Sequence, residues 1–372
     1  IVDQQGGSTV NPGEQGYVSV ALNLPTQPST RANDNFDQGT EAEYAVNNAA
    51  LLVFSGASED AAVFTGAYPL TLGGDNYVGG NITTTYQVTR KITKPLNPGD
   101  DIYALVMTNY DKVLTGNATQ GWQILGNALT ANTTTVAQVK AMQGTATADD
   151  LTANGIFMTN APLYSVPGSV AAPTGGSVST LTKINAENVF TTEDEAKANP
   201  AASVYVERGV AKVSVNVETA SDDDLEYTFA GWGLDITNTR TYAVRNVVGA
   251  DWWELASKLN PTADPYRLVG ANPVAAGLYR TYFGYDPNYD GQGYTVVGEA
   301  NSPFATIIGS APTLSNGNGA SVYCLENTFN VANQNDDQTT RVIVAASLAM
   351  TGAEDNGDFY TINNNKDEIL TA

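Results

Sequence analysis

Aliphatic Val and Leu residues occupy every second position in the first well-defined segment of the chain, Tyr17–Leu24 (YVSVALNL). Val18, Val20, Leu22 and Leu24 fall on one face of this segment, and the residues between them fall on the other. A period of two predicts a β-strand with one buried face. The prolines that follow end the strand, because proline cannot donate a ladder hydrogen bond.

Further strands are indicated by alternating or continuous apolar segments bounded by turn residues. They are the end of Glu43–Phe54, Ile82–Thr93, Asp101–Asn109, Ile156–Asn160, Ser203–Glu218, Tyr227–Ile236, Thr241–Val248, Ser321–Phe329 and Thr340–Ala349. The valines of Ser203–Glu218 change phase, which predicts a bulge or break near Gly209. The short spacing between Tyr227–Ile236 and Thr241–Val248 predicts a hairpin around residues 237–240.

Helical patterns are few and short. Apolar residues recur at three-residue spacing within Thr133–Met142, and further helical turns are indicated at Thr145–Asn154 and in the acidic stretch Thr191–Ala202. Another short helix is predicted at Asp251–Leu259, with Asp251 as its N-cap. Many short strands with turn signals and little helix predict a mostly β fold built from β-sandwiches.

The composition narrows the possible partners. Hydrophobic residues make up 42% of the chain, which is enough for a packed core, whereas charged residues make up only 15%. Acidic residues number 39 against 17 basic ones, and the formal net charge is −22. Such a surface repels nucleic acid and anionic membranes, so neither is an expected partner. The charge suits a secreted protein, although a salty habitat would favour it as well.

The absence of histidine and the presence of a single cysteine limit the catalytic and metal-binding chemistry that the chain can perform. Histidine is absent, which excludes Ser-His-Asp and Cys-His catalysis and His-ligated zinc. A glycosidase that uses two carboxylates stays possible, but no motif indicates one. Cys324 is the single cysteine, so no disulfide can form within the chain. Its strand context predicts a buried apolar role, and a reactive thiol is the alternative.

One acidic segment resembles the start of a calcium-binding loop. Asp286, Asn288 and Asp290 occupy its first, third and fifth positions, and Gly291 follows. The twelfth position is Val297, where such loops carry a bidentate glutamate. The three residues are therefore a candidate metal site, with an Asx-rich surface turn as the alternative. No other cofactor is predicted.

Aromatic residues provide a second candidate site. Trp252 and Trp253, together with Trp122, Trp232 and the many tyrosines, could form a platform on which a sugar ring stacks. Aromatic residues of this kind also fill the cores and edges of β-sandwiches, which is the alternative.

Arg31 follows the first strand in a loop rich in Asn and Asp. Exposed loops of this kind are where proteolytic cleavage concentrates. Cleavage between Arg31 and Ala32 would separate the strand Tyr17–Leu24 from the rest of the chain. If that strand fills a sheet, its loss would expose an apolar groove with unpaired backbone groups, which could accept a strand from another molecule. The alternative is an ordinary surface arginine.

Several motifs, in their order along the chain, resemble the fimbrillins of Bacteroidales, which are type V pilins of the FimA-like and Mfa-like kind. They are Thr30-Arg31-Ala32 after an amphipathic strand, Glu41–Phe54, Ile102–Asn109, Phe157-Met158-Thr159-Asn160, Val206-Glu207-Arg208-Gly209-Val210-Ala211-Lys212-Val213, Gly231-Trp232-Gly233-Leu234 with the following Arg245, and Tyr323–Thr328.

The resemblance implies two transthyretin-like β-sandwich domains in tandem, with a few short helices. The expected division is a leader with a removable strand at 1–31, an N-terminal domain at 32–207 and a C-terminal domain at 208–372. The function implied is that of a non-enzymatic structural subunit of a cell-surface fimbrium that takes part in adhesion. An arginine-specific protease would cut at Arg31–Ala32, and a strand from a neighbouring subunit would replace the one carrying Val18, Val20, Leu22 and Leu24.

The same resemblance implies export through the periplasm and outer membrane as a lipoprotein precursor, with lipid on a cysteine before Ile1. Because the chain begins with Ile rather than Met, we expect that a leader has been removed. The implied partners are other fimbrial subunits, in a homo- or heteropolymer, and host or bacterial surface ligands. Family stalk subunits continue well past the equivalent of Thr340–Ala349, so this chain is expected to be either shortened or a variant subunit. A surface glycan-binding lipoprotein is the alternative function.

Overall fold

The computed structural model describes residues 10–25, 39–73, 77–78, 83–161, 179–218, 225–248, 280–286, 298–307, 314–326, 339–350, 359–361 and 369–371. The fold is mostly β and of β-sandwich type. Within the described ranges, no helix has the length and apolar character needed to cross a membrane.

Strands account for most of the regular structure. In chain order they are β1 (Gln15–Pro25), β2 (Ala49–Gly56), β3 (Val63–Leu70), β4 (Tyr77–Val78), β5 (Thr83–Thr93), β6 (Asp101–Thr108), β7 (Leu114–Asn117), β8 (Gly121–Ile124), β9 (Asn127–Leu129), β10 (Gln143–Thr145), β11 (Met158–Asn160), β12 (Thr182–Ile184), β13 (Ala202–Arg208), β14 (Val210–Ser214), β15 (Leu225–Asp235), β16 (Thr237–Asn238), β17 (Arg240–Val248), β18 (Arg280–Gly284), β19 (Phe304–Ala305), β20 (Ser321–Leu325), β21 (Arg341–Met350), β22 (Phe359–Thr361) and β23 (Ile369–Thr371).

The helices are short and are stabilised at their N-termini. They are α1 (Glu41–Tyr44), α2 (Val136–Ala141), α3 (Ala148–Thr152), α4 (Glu193–Ala198) and a 3-10 turn at Ala186–Asn188. The threonine that precedes each of α2, α3 and α4 accepts a hydrogen bond from a backbone N–H of the first turn, which satisfies one of the groups that a helix start leaves unpaired. The helices predicted at Thr133–Met142, Thr145–Asn154 and Thr191–Ala202 are confirmed.

The chain divides into two compact units that interleave along the sequence. Unit 1 consists of Ile1–Ala211, Asn238–Tyr294 and Leu325–Gln334, and unit 2 consists of Lys212–Thr237, Thr295–Cys324 and Asn335–Ala372. The domain bounds predicted at residues 31 and 207 stay a prediction.

Unit 1 is built on a nine-stranded sheet in the order β3-β2-β6-β11-β13-β1-β5-β4, with β12 pairing to β6. In this sheet β13 pairs with β1 through Ala202–Tyr205 and with β11 through Val206–Arg208. One strand therefore connects the part of the sheet that contains β1 and β5 with the part that contains β2 and β6. The inward residues of both parts form a single hydrophobic cluster, as in a sandwich core.

Unit 2 contains the long antiparallel pair of β15 and β21, whose register shifts between Phe229 and Gly231. A Cβ atom added to Gly231 would lie 2.0 Å from the carbonyl oxygen of Leu314, so only glycine fits at this position. The neighbouring Trp232 is fully buried, and its Nε1 donates to the carbonyl of Gly317 at 3.0 Å.

Two predictions about strand connections have different outcomes. The break near Gly209 is confirmed, because β13 ends at Arg208 and β14 begins at Val210. The hairpin between Tyr227–Ile236 and Thr241–Val248 is wrong. The segment Tyr227–Ile236, most of which lies in β15, pairs with β21. The segment Thr241–Val248, in β17, pairs with β10 and β18. For β15, a partner more than 100 positions away replaces the close pairing that the short spacing suggested. The helix predicted at 251–259 lies outside the described residues.

Candidate functional site

The candidate site is the β1 slot, by which we mean the edges of β5 and β13, the residues Phe190 and Ala201, and the hydrophobic cluster that together surround β1. One edge of the slot is β5, which pairs antiparallel with β1 at eleven positions, from Gln15 opposite Thr93 to Pro25 opposite Thr83. The whole length of the first strand is thus held by a segment about 70 residues later in the chain. The strand prediction for Tyr17–Leu24 is confirmed.

The opposite edge of the slot is assembled from three pieces. Tyr17 exchanges two backbone hydrogen bonds with Phe190, at 2.8 and 2.9 Å. The carbonyl of Ser19 accepts from the N–H of Ala201 at 2.7 Å, and Val20–Asn23 then pair parallel with β13. Because both of its edges are paired, β1 is an interior strand. Its removal would expose backbone donors and acceptors on both sides of the slot.

The floor of the slot is the central hydrophobic cluster of unit 1, onto which β1 packs its apolar side chains. These side chains are Val18, Val20, Leu22 and Leu24, and all four are buried in that cluster. The same cluster contains residues of β2, β5, β6 and β13, which include Leu51, Val88, Ile102, Val106, Val204 and Val206. Full burial of a Val or Leu side chain is worth roughly 1.5–3 kcal/mol, so the four together contribute roughly 6–12 kcal/mol before the cost of ordering the strand.

The outer face of β1 is also covered, which the sequence pattern did not predict. Ser19 is fully buried and Asn23 is only 8% exposed, whereas alternation alone implied that this face meets solvent. The covering elements are α4, which packs against β1 and β5, and the side chain of Gln87 on β5. The expectation of one buried face is therefore wrong for these two positions, because residues remote in sequence close over them.

The segment before β1 is tied down as well. The N–H of Val10 donates to the carbonyl of Val189 at 3.2 Å, and the N–H of Gly13 donates to the carbonyl of Lys94 at 3.0 Å. Val10 is itself part of the hydrophobic cluster. A Cβ atom on Gly16 would lie 2.6 Å from the carbonyl oxygen of Phe190, so the chain enters the slot in close backbone contact. Detachment of β1 must also break these contacts.

An ion cluster fixes the far end of β13. The guanidinium of Arg245 contacts the carboxylate of Glu207, lies 3.1 Å from Glu326 Oε2 and donates to the carbonyl of Arg208 at 2.8 Å. It also lies over the ring of Phe283, 4.9 Å from its centroid. Burial alone would lower the pKa of Arg245, but the charges of Glu326 and Glu207 outweigh it and raise that pKa. The cluster brings together residues from three of the motifs that carry the fimbrillin resemblance.

The processing residues cannot be placed. Arg31 and Ala32 lie outside the described residues, so their role in cleavage stays a prediction. Position 31 follows the end of β1, at Pro25, by six residues.

The candidate metal residues are described only in part. Asp286 is buried, and Asn288 and Asp290 lie outside the described ranges. Among the residues that are described, no group of three or more His, Cys, Asp or Glu side chains could hold an ion. The metal site stays a prediction.

The aromatic platform loses one of its candidates. Trp232 is fully buried, so it has no face to offer a sugar ring. Trp122 is half-buried on β8, within the separate sheet β7-β8-β9, and Trp252 and Trp253 lie outside the described residues. The buried role predicted for Cys324 is confirmed.

Sequence reasoning also missed Gln87, Phe190 and Ala201, which contact β1 across the slot. Their positions in the chain carry no local signal for this role, since a glutamine in a Thr-rich strand looks like an ordinary surface residue.

None of the protein-family models and none of the curated proteins compared with the chain matches it. Two solved structures from Parabacteroides distasonis are similar to it, each at 12% sequence identity. One is a "putative cell adhesion protein", with 91% of this chain and 76% of that chain covered and a TM-score of 0.42. The other is a fimbrial assembly protein, with 85% of this chain and 88% of that chain covered and a TM-score of 0.36.

Proposed function

We propose that this protein is the precursor form of a structural subunit of a cell-surface fimbrium, in which β1 is a removable strand. The observation that carries the proposal is the position of β1. It is an N-terminal strand, yet it lies between β5 and β13 and supplies four residues to the core of unit 1. A single cut in the chain behind β1 would separate this strand from the residues that follow it and leave it held to them by non-covalent contacts alone.

The proposed mechanism is replacement of one strand by another. Cleavage after Arg31 breaks the covalent link behind β1 and leaves the strand held by non-covalent contacts alone, chiefly its ladder hydrogen bonds and its buried apolar side chains. A strand from a neighbouring subunit then forms the same main-chain hydrogen bonds and fills the same apolar positions. The exchange is close to balanced in free energy, because the bonds lost with β1 are regained with its replacement.

The partners in this proposal are other fimbrial subunits, of the same or a different kind. The polymer would lie at the cell surface after export as a lipoprotein precursor, and it would contribute to adhesion. The high negative charge suits this sequence of events, since like-charged precursors repel one another until a specific strand contact forms.

Assembly after cleavage tests the proposal. The wild-type chain, digested with an arginine-specific protease, is expected to lose about 31 residues and to form oligomers that size-exclusion chromatography detects. Arg31→Ala should fold normally, as judged by circular dichroism, and should stay monomeric after the same digestion. Arg31→Lys is the matched control, since it keeps the charge and should assemble only after a lysine-cleaving protease. Ordinary assembly of uncut Arg31→Ala would contradict the proposal.

A further inference from the structure

The apolar floor of the β1 slot distinguishes poorly between strands. Any segment with Val, Leu or Ile at alternate positions could fill it, because aliphatic side chains of similar volume replace one another at low cost. Selective binding of one strand sequence therefore requires polar contacts in addition to apolar packing. Ser19 and Asn23, on the outer face of β1, make such contacts.

The side-chain amide of Gln87 covers Ser19 on the outer face of β1. Gln87 Nε2 donates to Ser19 Oγ at 3.0 Å and to the carbonyl of Lys197, at the end of α4, at 2.6 Å. One side chain thus links the strand in the slot to the helix above it. Since Ser19 is fully buried, the space at this position fits a small side chain, and the contact favours one with a hydroxyl.

At Asn23 the slot is bridged from both sides. Asn23 Nδ2 donates to the carbonyl of Val204 on β13 at 3.3 Å, and Asn23 Oδ1 accepts from Thr85 Oγ1 on β5 at 3.0 Å. An amide makes both contacts at once, because it carries a donor and an acceptor. A leucine at this position would make neither contact and would bury the Thr85 hydroxyl against an apolar group.

From this geometry we propose that Gln87, Thr85 and the Val204 carbonyl act as the specificity determinants of the β1 slot. They select a strand that carries a small hydroxyl residue and, four positions later, an amide, both on the face opposite its apolar residues. The inference rests on the proposed function, in that it concerns the strand that replaces β1. It adds a rule for which strand the slot accepts.

Peptide competition on the full chain tests this rule. The chain carries Arg31→Ala together with an inserted site for an unrelated protease between residues 25 and 39, so the result does not depend on the natural cleavage site. After folding and cutting, labelled peptides of residues 15–25 are offered, and the bound fraction is measured by size-exclusion chromatography. The peptides are the native sequence, Ser19→Val, Asn23→Leu and the control Ala21→Ser, which changes the same face between the two contacts.

The native and Ala21→Ser peptides are expected to bind alike. Ser19→Val and Asn23→Leu are each expected to bind about tenfold more weakly, since each leaves a buried polar group without its partner. A protein with Gln87→Met should no longer bind the native peptide more tightly than Ser19→Val, while Asn23→Leu stays weak. A general loss of structure would not produce this selective change.

Two results would overturn the inference, and they differ in what else they affect. If all four peptides bind within about twofold of one another, the outer face has no role in selection, and strand exchange still stands. If the native peptide fails to enter the cut protein at all, the slot does not exchange its strand, and the proposed function fails together with this inference.

Discussion

β1 and β21 both carry aliphatic residues at alternate positions, and they differ in what covers those residues. In β1 the alternate apolar residues are Val18, Val20, Leu22 and Leu24, and all are buried. In β21 the alternate residues Val342 and Val344 are 45% and 47% exposed. Both strands are ten or eleven residues long and form long antiparallel ladders. Period and composition therefore predict that each is a strand, but they do not predict its burial.

The difference lies in the number of neighbours. β1 has β5 on one edge, Phe190, Ala201 and β13 on the other, a hydrophobic cluster below and α4 above. Among the described residues, β21 forms one ladder, with β15. The sheet around β1 is thus part of a packed core, whereas the outward face of β21 adds apolar surface without burying it.

The largest effect should come from truncating a core residue of β1. Leu22→Ala is expected to lower the free energy of unfolding of unit 1 by about 2–5 kcal/mol, through lost burial and the cavity left behind. The truncation Val344→Ala in β21 should lower the free energy of unfolding of unit 2 by less than about 1 kcal/mol. Urea unfolding, with hydrogen exchange to assign each transition to its unit, would measure both. Equal losses would show that the outward face of β21 is as well packed as the slot.

A smaller effect should come from the polar end of the ladder between β15 and β21, where Asp235 of β15 lies opposite Arg341 of β21. The fully buried Asp235 accepts hydrogen bonds from Thr306 Oγ1 at 2.6 Å, from the N–H of Ile307 at 2.9 Å and from Arg341 Nε at 2.8 Å. Asp235→Asn should lower the free energy of unfolding of unit 2 by about 1–3 kcal/mol, because it replaces an acceptor by a donor among these groups. A loss larger than that of Leu22→Ala would reverse the expected order of these two effects.

The same carboxylate should make unit 2 sensitive to acid. Burial alone would raise the pKa of Asp235, but hydrogen bonds from Thr306, Ile307 and Arg341 outweigh it and hold that pKa below its ordinary value. A lowered pKa in the folded state means that the stabilisation is complete above the pKa of an unfolded aspartate, about 3.9, and is lost as the pH falls through the folded-state value. The stability difference between wild type and Asp235→Asn should therefore be constant near pH 7 and shrink below about pH 4. A difference that grows in acid would contradict the assignment.

How far the sequence predicts this structure depends on the range of the interactions involved. The strand at Tyr17–Leu24 and the break at Gly209 follow from neighbouring residues, and both were predicted. The burial of Ser19 depends on Gln87, which is 68 positions away, and no pattern in the residues around Ser19 predicts that burial. The expected hairpin failed for the same reason, since β15 pairs with a strand more than 100 positions later. The candidate site was thus found through its strand, while its outer face became visible only in the fold.

The most direct comparison makes the same substitution in both strands. Valine and threonine have nearly the same shape, so the exchange replaces one methyl group by a hydroxyl and leaves the volume almost unchanged. At the half-exposed position 344 that hydroxyl meets water, and Val344→Thr should change the free energy of unfolding by less than about 0.5 kcal/mol. At position 20 the hydroxyl would be buried against the hydrophobic cluster, and Val20→Thr should cost about 1–3 kcal/mol. Thermal and urea unfolding of the two variants would measure this contrast. Equal costs would mean that the outward face of β21 is covered in solution, by another molecule or by a different arrangement of the chain.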